Sequence, residues 1–354
     1  MKKVMFYSVP DMTDNTWYLY EKLRDKVECV WLVHDKKAFE GRMPPCSIVD
    51  PGSCAGEDAG LVSQLSMTVL SHTVYAEAFR RYNPGHRILY LGHGAVGKGV
   101  KADAVGKDMW GFDNILTLGG ELSTRHVNTI FGGGRERCLE LGYPRNDILF
   151  RHAGIRQGGT VKILWMPTFR QSWKKSLNQK YIRTETGLSF PGTWEDMKRI
   201  DDRAGECGVE IHLKLHRLQL DLPVFRRVEQ ELSNIRMVKQ DRGDFYRKAV
   251  EYHALLTDYS SVYADWMLID RPVGFVLNDL DEYAQSRGPF TYDFKQYAPG
   301  HHIYGMNDMG KFIGEIAAGT DSMKPERDRL FFDIHGFRDG NSSERVAQWV
   351  MEHI

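Results

Sequence analysis

Residues 255–283, LLTDYSSVYADWMLIDRPVGFVLNDLDEY, read as strand, polar turn, helix and second strand. Short apolar runs bounded by turn residues, with a helical stretch between them, mark a parallel sheet. The turn Thr257-Asp258-Tyr259-Ser260-Ser261 places two hydroxyls where a helix begins. The first turn of a helix carries unpaired N–H groups and partial positive charge, so Ser260 and Ser261 are expected beside a phosphate or pyrophosphate, with Thr257 and Asp258 next to them. The competing expectation is an ordinary N-cap serine, a common feature that stabilises by about 1 kcal/mol.

The alternation extends outward from this stretch. On the N-terminal side lie VMFYSV (4–9), a helix near 15–25, VECVWLV (27–33), VLSHT (69–73), VYAEAFRRY (74–82), RILYLG (87–92) and NILTLG (114–119). At 154–160, GIRQGGT is glycine-rich with no apolar period, and VKILWMPT (161–168) restarts the pattern. VEIHLKLH (209–216), IRMVKQ (235–240), HALLTD (253–258) and PVGFVLND (272–279) continue it. The expected fold class is α/β, with two Rossmann-like domains, 1–155 and 156–354, facing a cleft. Ligands then bind at the carboxyl ends of the strands, where sheet order reverses. The closing SSERVAQWVMEHI (342–354) has a capping serine and helical spacing, and this terminal helix can pack back on the N-terminal domain.

Composition narrows the function. A chain of 354 residues exceeds one typical core and suits two domains. Its 47 basic and 47 acidic side chains cancel, which argues against nucleic-acid binding by bulk charge and makes any anion site local. Cys29, Cys46, Cys54, Cys138 and Cys207 form no CxxC pair, as expected of reduced cytosolic thiols and not of a zinc site. The opening MKKVMFYSVPDMTDN breaks at Pro10, so it is a first strand and not a signal peptide, and no apolar run is long enough to span a membrane. There is no P-loop, no GxGxxG after the first strand, no HExxH and no GxSxG. No convincing DxD pair sits at a strand end, so neither a cofactor nor a divalent metal is indicated.

Several side chains remain as candidates for chemistry. His93 follows a strand and stands between Gly92 and Gly94, where it can act as a general base or simply fill a turn. Lys98 and Lys101 can meet an anionic acceptor or lipid headgroup, or form a solvated basic loop. Lys214, His216 and Arg217 lie at the carboxyl end of VEIHLKLHRL, where cations would neutralise a diphosphate. The alternation in IHLKLH favours an edge-strand role for His212 and Lys214 more than for His216. Arg145, in GYPRND (142–147), suits phosphate or acceptor contact, or an ion pair with Asp147. Arg170, in MPTFR (166–170), is assigned to phosphate or acceptor contact. The carboxylates of DLDEY (279–283) can hold a ribose or polyol, or cap a helix.

Taken in order, the HG turn at 93, GYPRND, PTFR, KLH at 214, TDYSS at 257, RP at 271 and the DLDEY…RGPFTYDF…APG run of 279–300 resemble the CDP-glycerol glycerophosphotransferases of teichoic acid and capsular polymer synthesis. The resemblance implies a GT-B fold and a CDP-polyol donor, CDP-glycerol or CDP-ribitol. It implies a lipid-linked or polymeric acceptor and peripheral attachment at the inner membrane face. For matched positions it implies His93 as the base, with His216, Ser260 and Ser261 around the donor phosphates. Here Leu91-Gly92 precedes the histidine, where the family often has an aromatic, and the short chain suggests a primase-like or capsule-type transferase. Two other expectations stay open: a nucleotide-sugar glycosyltransferase or epimerase on the same fold, and a non-catalytic scaffold of an envelope-assembly complex.

Overall fold

A computed structural model describes residues 2–39, 47–49, 59–72, 80, 83–94, 96, 111–155, 158–171, 182, 184–216, 219, 223–238 and 245–354; Lys98, Lys101 and Arg217 lie outside them. The chain divides into two compact units. Met1–Ala95, Ala104–Arg151 and Phe332–Ile354 form the first, and Val96–Asp103 with His152–Phe331 form the second.

In the first unit the strands are β1 (Lys3–Tyr7), β2 (Glu28–Leu32), β3 (Ser47–Val49), β4 (Met67–Leu70), β5 (Arg87–Tyr90), β6 (Asn114–Leu116) and β7 (Cys138–Leu139). They pair in parallel in the order β3-β2-β1-β4-β5-β6-β7. The order reverses between β1 and β4, the position at which open α/β sheets bind ligands. Met5, Tyr7, Val30, Leu32, Leu70, Ile88, Tyr90 and Ile115 form one core face. The near-continuous apolar runs follow from burial on both sides.

The terminal helix Ser342–His353 packs against the helix Asp14–Leu23 and the turn Pro144–Asn146. Its start is not capped by its own serine. Asn341 holds the cap position without a side-chain bond, and Asp147 accepts from the amides of Ser342 (2.8 Å) and Ser343 (2.9 Å). Two orphan N–H groups are thereby satisfied by a residue distant in sequence.

The second unit holds β8 (Val161–Met166), β9 (Val209–Leu213), β10 (Ile235–Met237), β11 (Ala254–Thr257), β12 (Val273–Val276) and β13 (His301–Ile303). All pair in parallel, in the order β10-β9-β8-β11-β12-β13. The helices Trp194–Glu206 and Met306–Ala317 bury Met197, Ile200, Ala204, Phe312, Ile313 and Ile316 against Ile163, Trp165, Ile211, Leu213 and Leu256. Both units are thus Rossmann-like α/β sheets, as expected. β9 is not an edge strand: it lies between β10 and β8, and its alternation leaves Glu210 and His212 half-buried. The reversal between β8 and β11 brings the PTFR loop and the TDYSS turn to the same end of adjacent strands.

Candidate functional site

In the first unit the site is built around His93, which follows β5. Its imidazole is exposed, and Nδ1 lies 3.2 Å from Oδ2 of Asp14. A carboxylate only accepts, so Nδ1 carries the proton in this pair and Nε2 is left as the basic ring atom. Asp14 opens the helix Asp14–Leu23 with φ 63°, in the left-handed region. Holding a non-glycine residue there costs roughly 1–2 kcal/mol, a strain of the kind that collects at functional sites.

Three further contacts hold that backbone in place. Oδ1 of Asp14 accepts from Nη1 of Arg145 at 2.7 Å. Asn15, fully buried, accepts from the Arg145 amide (3.1 Å) and donates to the Leu91 carbonyl (3.0 Å). Gly92 has φ 75°, and a Cβ there would fall 2.3 Å from Oη of Tyr143. The chain therefore needs glycine just before His93, while Gly94 on its other side is half-buried. Burial by itself would raise the Asp14 carboxyl, but the Arg145 guanidinium, and then the His93 hydrogen bond, hold it well below the usual carboxylate range. Asp14 therefore remains a carboxylate across the physiological range.

Arg145 acts inward. It is 3% exposed, lies over the Tyr143 ring at 5.1 Å, and pairs with Asp14 and not with Asp147. This placement suits a support for the Asp14 carboxylate, not contact with a phosphate or acceptor. His72, after β4, brings a second imidazole to 5.9 Å from that of His93.

In the second unit the structure separates the assigned residues into a buried frame and a set that is less buried. Arg170 is 1% exposed and belongs to the frame. It donates Nε and Nη2 to Asp279 at 2.8 and 3.0 Å, Nη1 to the Thr168 carbonyl, and pairs with Asp258 at 3.1 Å. Tyr259 and Tyr283 stack on its guanidinium at 5.3 and 4.8 Å. With two carboxylates already neutralising it and almost none of its surface exposed, Arg170 is placed as a structural cation. Asp258 accepts from the amide and hydroxyl of Thr168, fixing the PTFR loop. Burial pushes its carboxyl up, partly offset by Arg170 and Thr168. Thr257 is fully buried and donates to the Met166 carbonyl, joining β11 to β8. Asp279 stands at the cap position of the helix Leu280–Arg287 without a side-chain capping bond, and besides Arg170 it accepts from Oη of Tyr259 at 2.9 Å.

Outside the frame stand His216, which is exposed, and Lys214, Ser260 and Ser261, which are half-buried. His216 is exposed, its ring 5.0 Å from that of Phe169. Lys214 places Nζ 4.9 Å over the Phe245 ring, and burial lowers its pKa. Ser261 stands at the cap position of the helix Val262–Met267 without a side-chain capping bond, and Ser260 beside it is half-buried. That helix has only six residues, so hydroxyls and cations must supply more of any phosphate binding than its dipole does. Among the described residues no group of three His, Cys, Asp or Glu side chains is arranged to hold a metal, and no helix is long and apolar enough to cross a membrane.

Asp14 and Asn15 were not singled out from the sequence. The signal available was weak: a TDN turn after the first strand, at the place where a doubly wound sheet reverses.

The fold is shared with the wall teichoic acid polymerase TagF, whose solved structure superposes with a TM-score of 0.73 at 18% identity, covering 99% of this chain and 89% of that one. A teichoic acid glycerol-phosphate transferase of Staphylococcus aureus is 24% identical over 242 residues, 65% of this chain and 58% of its own. A teichoic acid ribitol-phosphate primase of Bacillus spizizenii is 25% identical over 233 residues, 65% of this chain and 57% of its own. The chain thus spans little more than half the length of these two relatives. The family model for CDP-glycerol:poly(glycerophosphate) glycerophosphotransferase matches residues 1–352, through both sheets and every loop described above, and the chain belongs to that family.

Proposed function

We propose that the chain transfers a polyol phosphate, with glycerol phosphate the first choice, from a CDP-polyol to a hydroxyl of a lipid-linked or polymeric acceptor, releasing CMP. The observation that carries this reading is the Asp14–His93 pair, an oriented imidazole on an exposed strand end. Nε2 of His93 takes the proton from the acceptor hydroxyl, whose oxygen attacks the β-phosphorus of the donor. The bond from that phosphorus to the bridging oxygen breaks, and CMP leaves with the oxygen. His216, Lys214 and the Ser260 and Ser261 hydroxyls meet the diphosphate charge, while Arg170, Asp258 and Thr257 keep their loops in place.

The family description supports CDP-glycerol as donor, and the relatives' names include both glycerol and ribitol enzymes. Wall teichoic acid or a capsule-type polymer is the proposed product, made at the inner membrane face by a peripherally attached enzyme. The test is CMP release from CDP-glycerol, CDP-ribitol, UDP-GlcNAc and UDP-glucose with a lipid-disaccharide acceptor, in wild type and His93→Ala. CMP from one CDP-polyol, reduced roughly 10²- to 10⁴-fold in the variant, is expected. Turnover of a UDP-sugar alone would overturn the reading in favour of a glycosyltransferase or epimerase. A folded His93→Ala protein with near-normal turnover would remove His93 as base, and a wild type that binds CDP-glycerol without CMP release would favour a scaffold.

A further inference from the structure

We propose that Arg287 binds the donor's diphosphate, the task the sequence had assigned to Arg170; this rests on the reading of the second unit as the CDP-polyol site. Arg287 ends the helix Leu280–Arg287, and its guanidinium carbon lies 4.7 Å from the centre of the Phe169 ring. The same ring is 5.0 Å from the imidazole of His216. Phe169 is therefore a shared aromatic platform for His216 and Arg287, one residue before Arg170 turns inward.

The buried arginines of this unit already have their acceptors. Arg170 is met by Asp258 and Asp279, Arg271 by the carbonyls of Val250, Tyr252 and Ile155, and Arg327 by Asp270 and Asp321. Arg287 differs in that no carboxylate pairs with it among the described residues; its Nε, like that of Arg327, is buried without a hydrogen-bond partner. A guanidinium stacked on a ring uses its face and leaves the forked N–H edge unspent, and that edge matches a phosphate bidentately. Lys214, over Phe245 and likewise without an ion pair among the described residues, adds a second cation waiting for an anion. The ligand class that fits an aromatic-backed guanidinium fork sharing its ring with His216 is a phosphate or diphosphate ester.

The rival role for Arg287 is purely structural, pinning Phe169. Calorimetric titration of CDP-glycerol into the full chain, with Arg287→Gln and Arg287→Lys alongside, separates the two. Arg287→Gln is expected to bind about 10- to 100-fold more weakly, with an unchanged melting temperature in the absence of ligand and a flatter dependence of log K on log salt. Arg287→Lys, which keeps the charge and loses the fork, is expected in between, with the wild-type salt slope; it carries the test if the glutamine variant does not fold. Equal binding by wild type and Arg287→Gln overturns the inference and leaves the proposed function standing. Lost binding accompanied by a lowered melting temperature and no rescue by lysine also overturns it. Failure of the wild type to bind CDP-glycerol or CDP-ribitol overturns the function and this inference together.

Discussion

Asp14→Asn probes the whole first-unit site with one isosteric change. Asparagine tolerates the left-handed backbone at φ 63°, so the turn itself survives. What is lost is the charge between two partners, the Arg145 guanidinium at 2.7 Å and the His93 imidazole at 3.2 Å. Arg145 is 3% exposed and would be left as a buried cation. Breaking such a pair from one side costs about 3–5 kcal/mol, and since the amide oxygen still accepts a hydrogen bond and Asp14 is partly solvated, the expected loss is about 2–3 kcal/mol. The imidazole also loses the acceptor that selects its Nδ1–H form, so CMP release should fall by at least about 10²-fold.

The pH dependence has a defined sign. A carboxyl held below its ordinary 3.8 adds stability that is present above that value and disappears as pH falls through the lower folded value. The gap between wild type and variant in urea unfolding should therefore be full at neutral pH and narrow in strong acid. A double variant with His93→Ala should be far from additive in turnover. Wild-type turnover together with wild-type stability would refute the whole argument, and wild-type turnover with reduced stability would leave Asp14 a structural residue only.

Three other outcomes follow from buried groups. His126 is 2% exposed, and burial pushes its pKa down to about 4, so the unfolded chain takes up the proton first. Its contribution is full above about pH 6.5 and is lost toward pH 4, worth about 3 kcal/mol, and His126→Gln should flatten the acid limb of an unfolding titration. Arg170→Gln leaves Asp258 and Asp279 buried without their cation and should cost about 3–5 kcal/mol in denaturant unfolding. At temperatures where that variant stays folded, CDP-glycerol affinity should change far less than in Arg287→Gln. Asp147→Ala removes the acceptor of two helix-start amides and should cost about 1–2 kcal/mol, with faster hydrogen exchange confined to Ser342–His353 and no change in CMP release per folded molecule.

The interior strands β1, β2, β8 and β11 fall within a residue or two of the apolar runs that announce them, because a strand covered on both faces is apolar at most positions. β7, only Cys138–Leu139, and β13, with its two histidines, carry no such period; they exist because β6 and β12 offer them a strand edge. That His93, His216 and the serine pair lie just past strand ends was readable because the apolar runs before them mark where the strands stop.

From the sequence alone came the α/β alternation, the two sheets, the family resemblance and the strand-end histidines and serines, all of which depend on neighbours within a few residues. The tertiary structure alone decided which charges face inward. Arg170 and Arg287 look alike as arginines in sequence, yet only packing shows that Asp258 and Asp279 neutralise the first while the second stacks on Phe169 with its Nε unpaired. Asp14 likewise becomes a partner of His93 only when the ends of β1 and β5 and the turn at Arg145 converge. Ion pairing is set by distances across the fold, between residues 79 or 131 positions apart, and no local pattern encodes them.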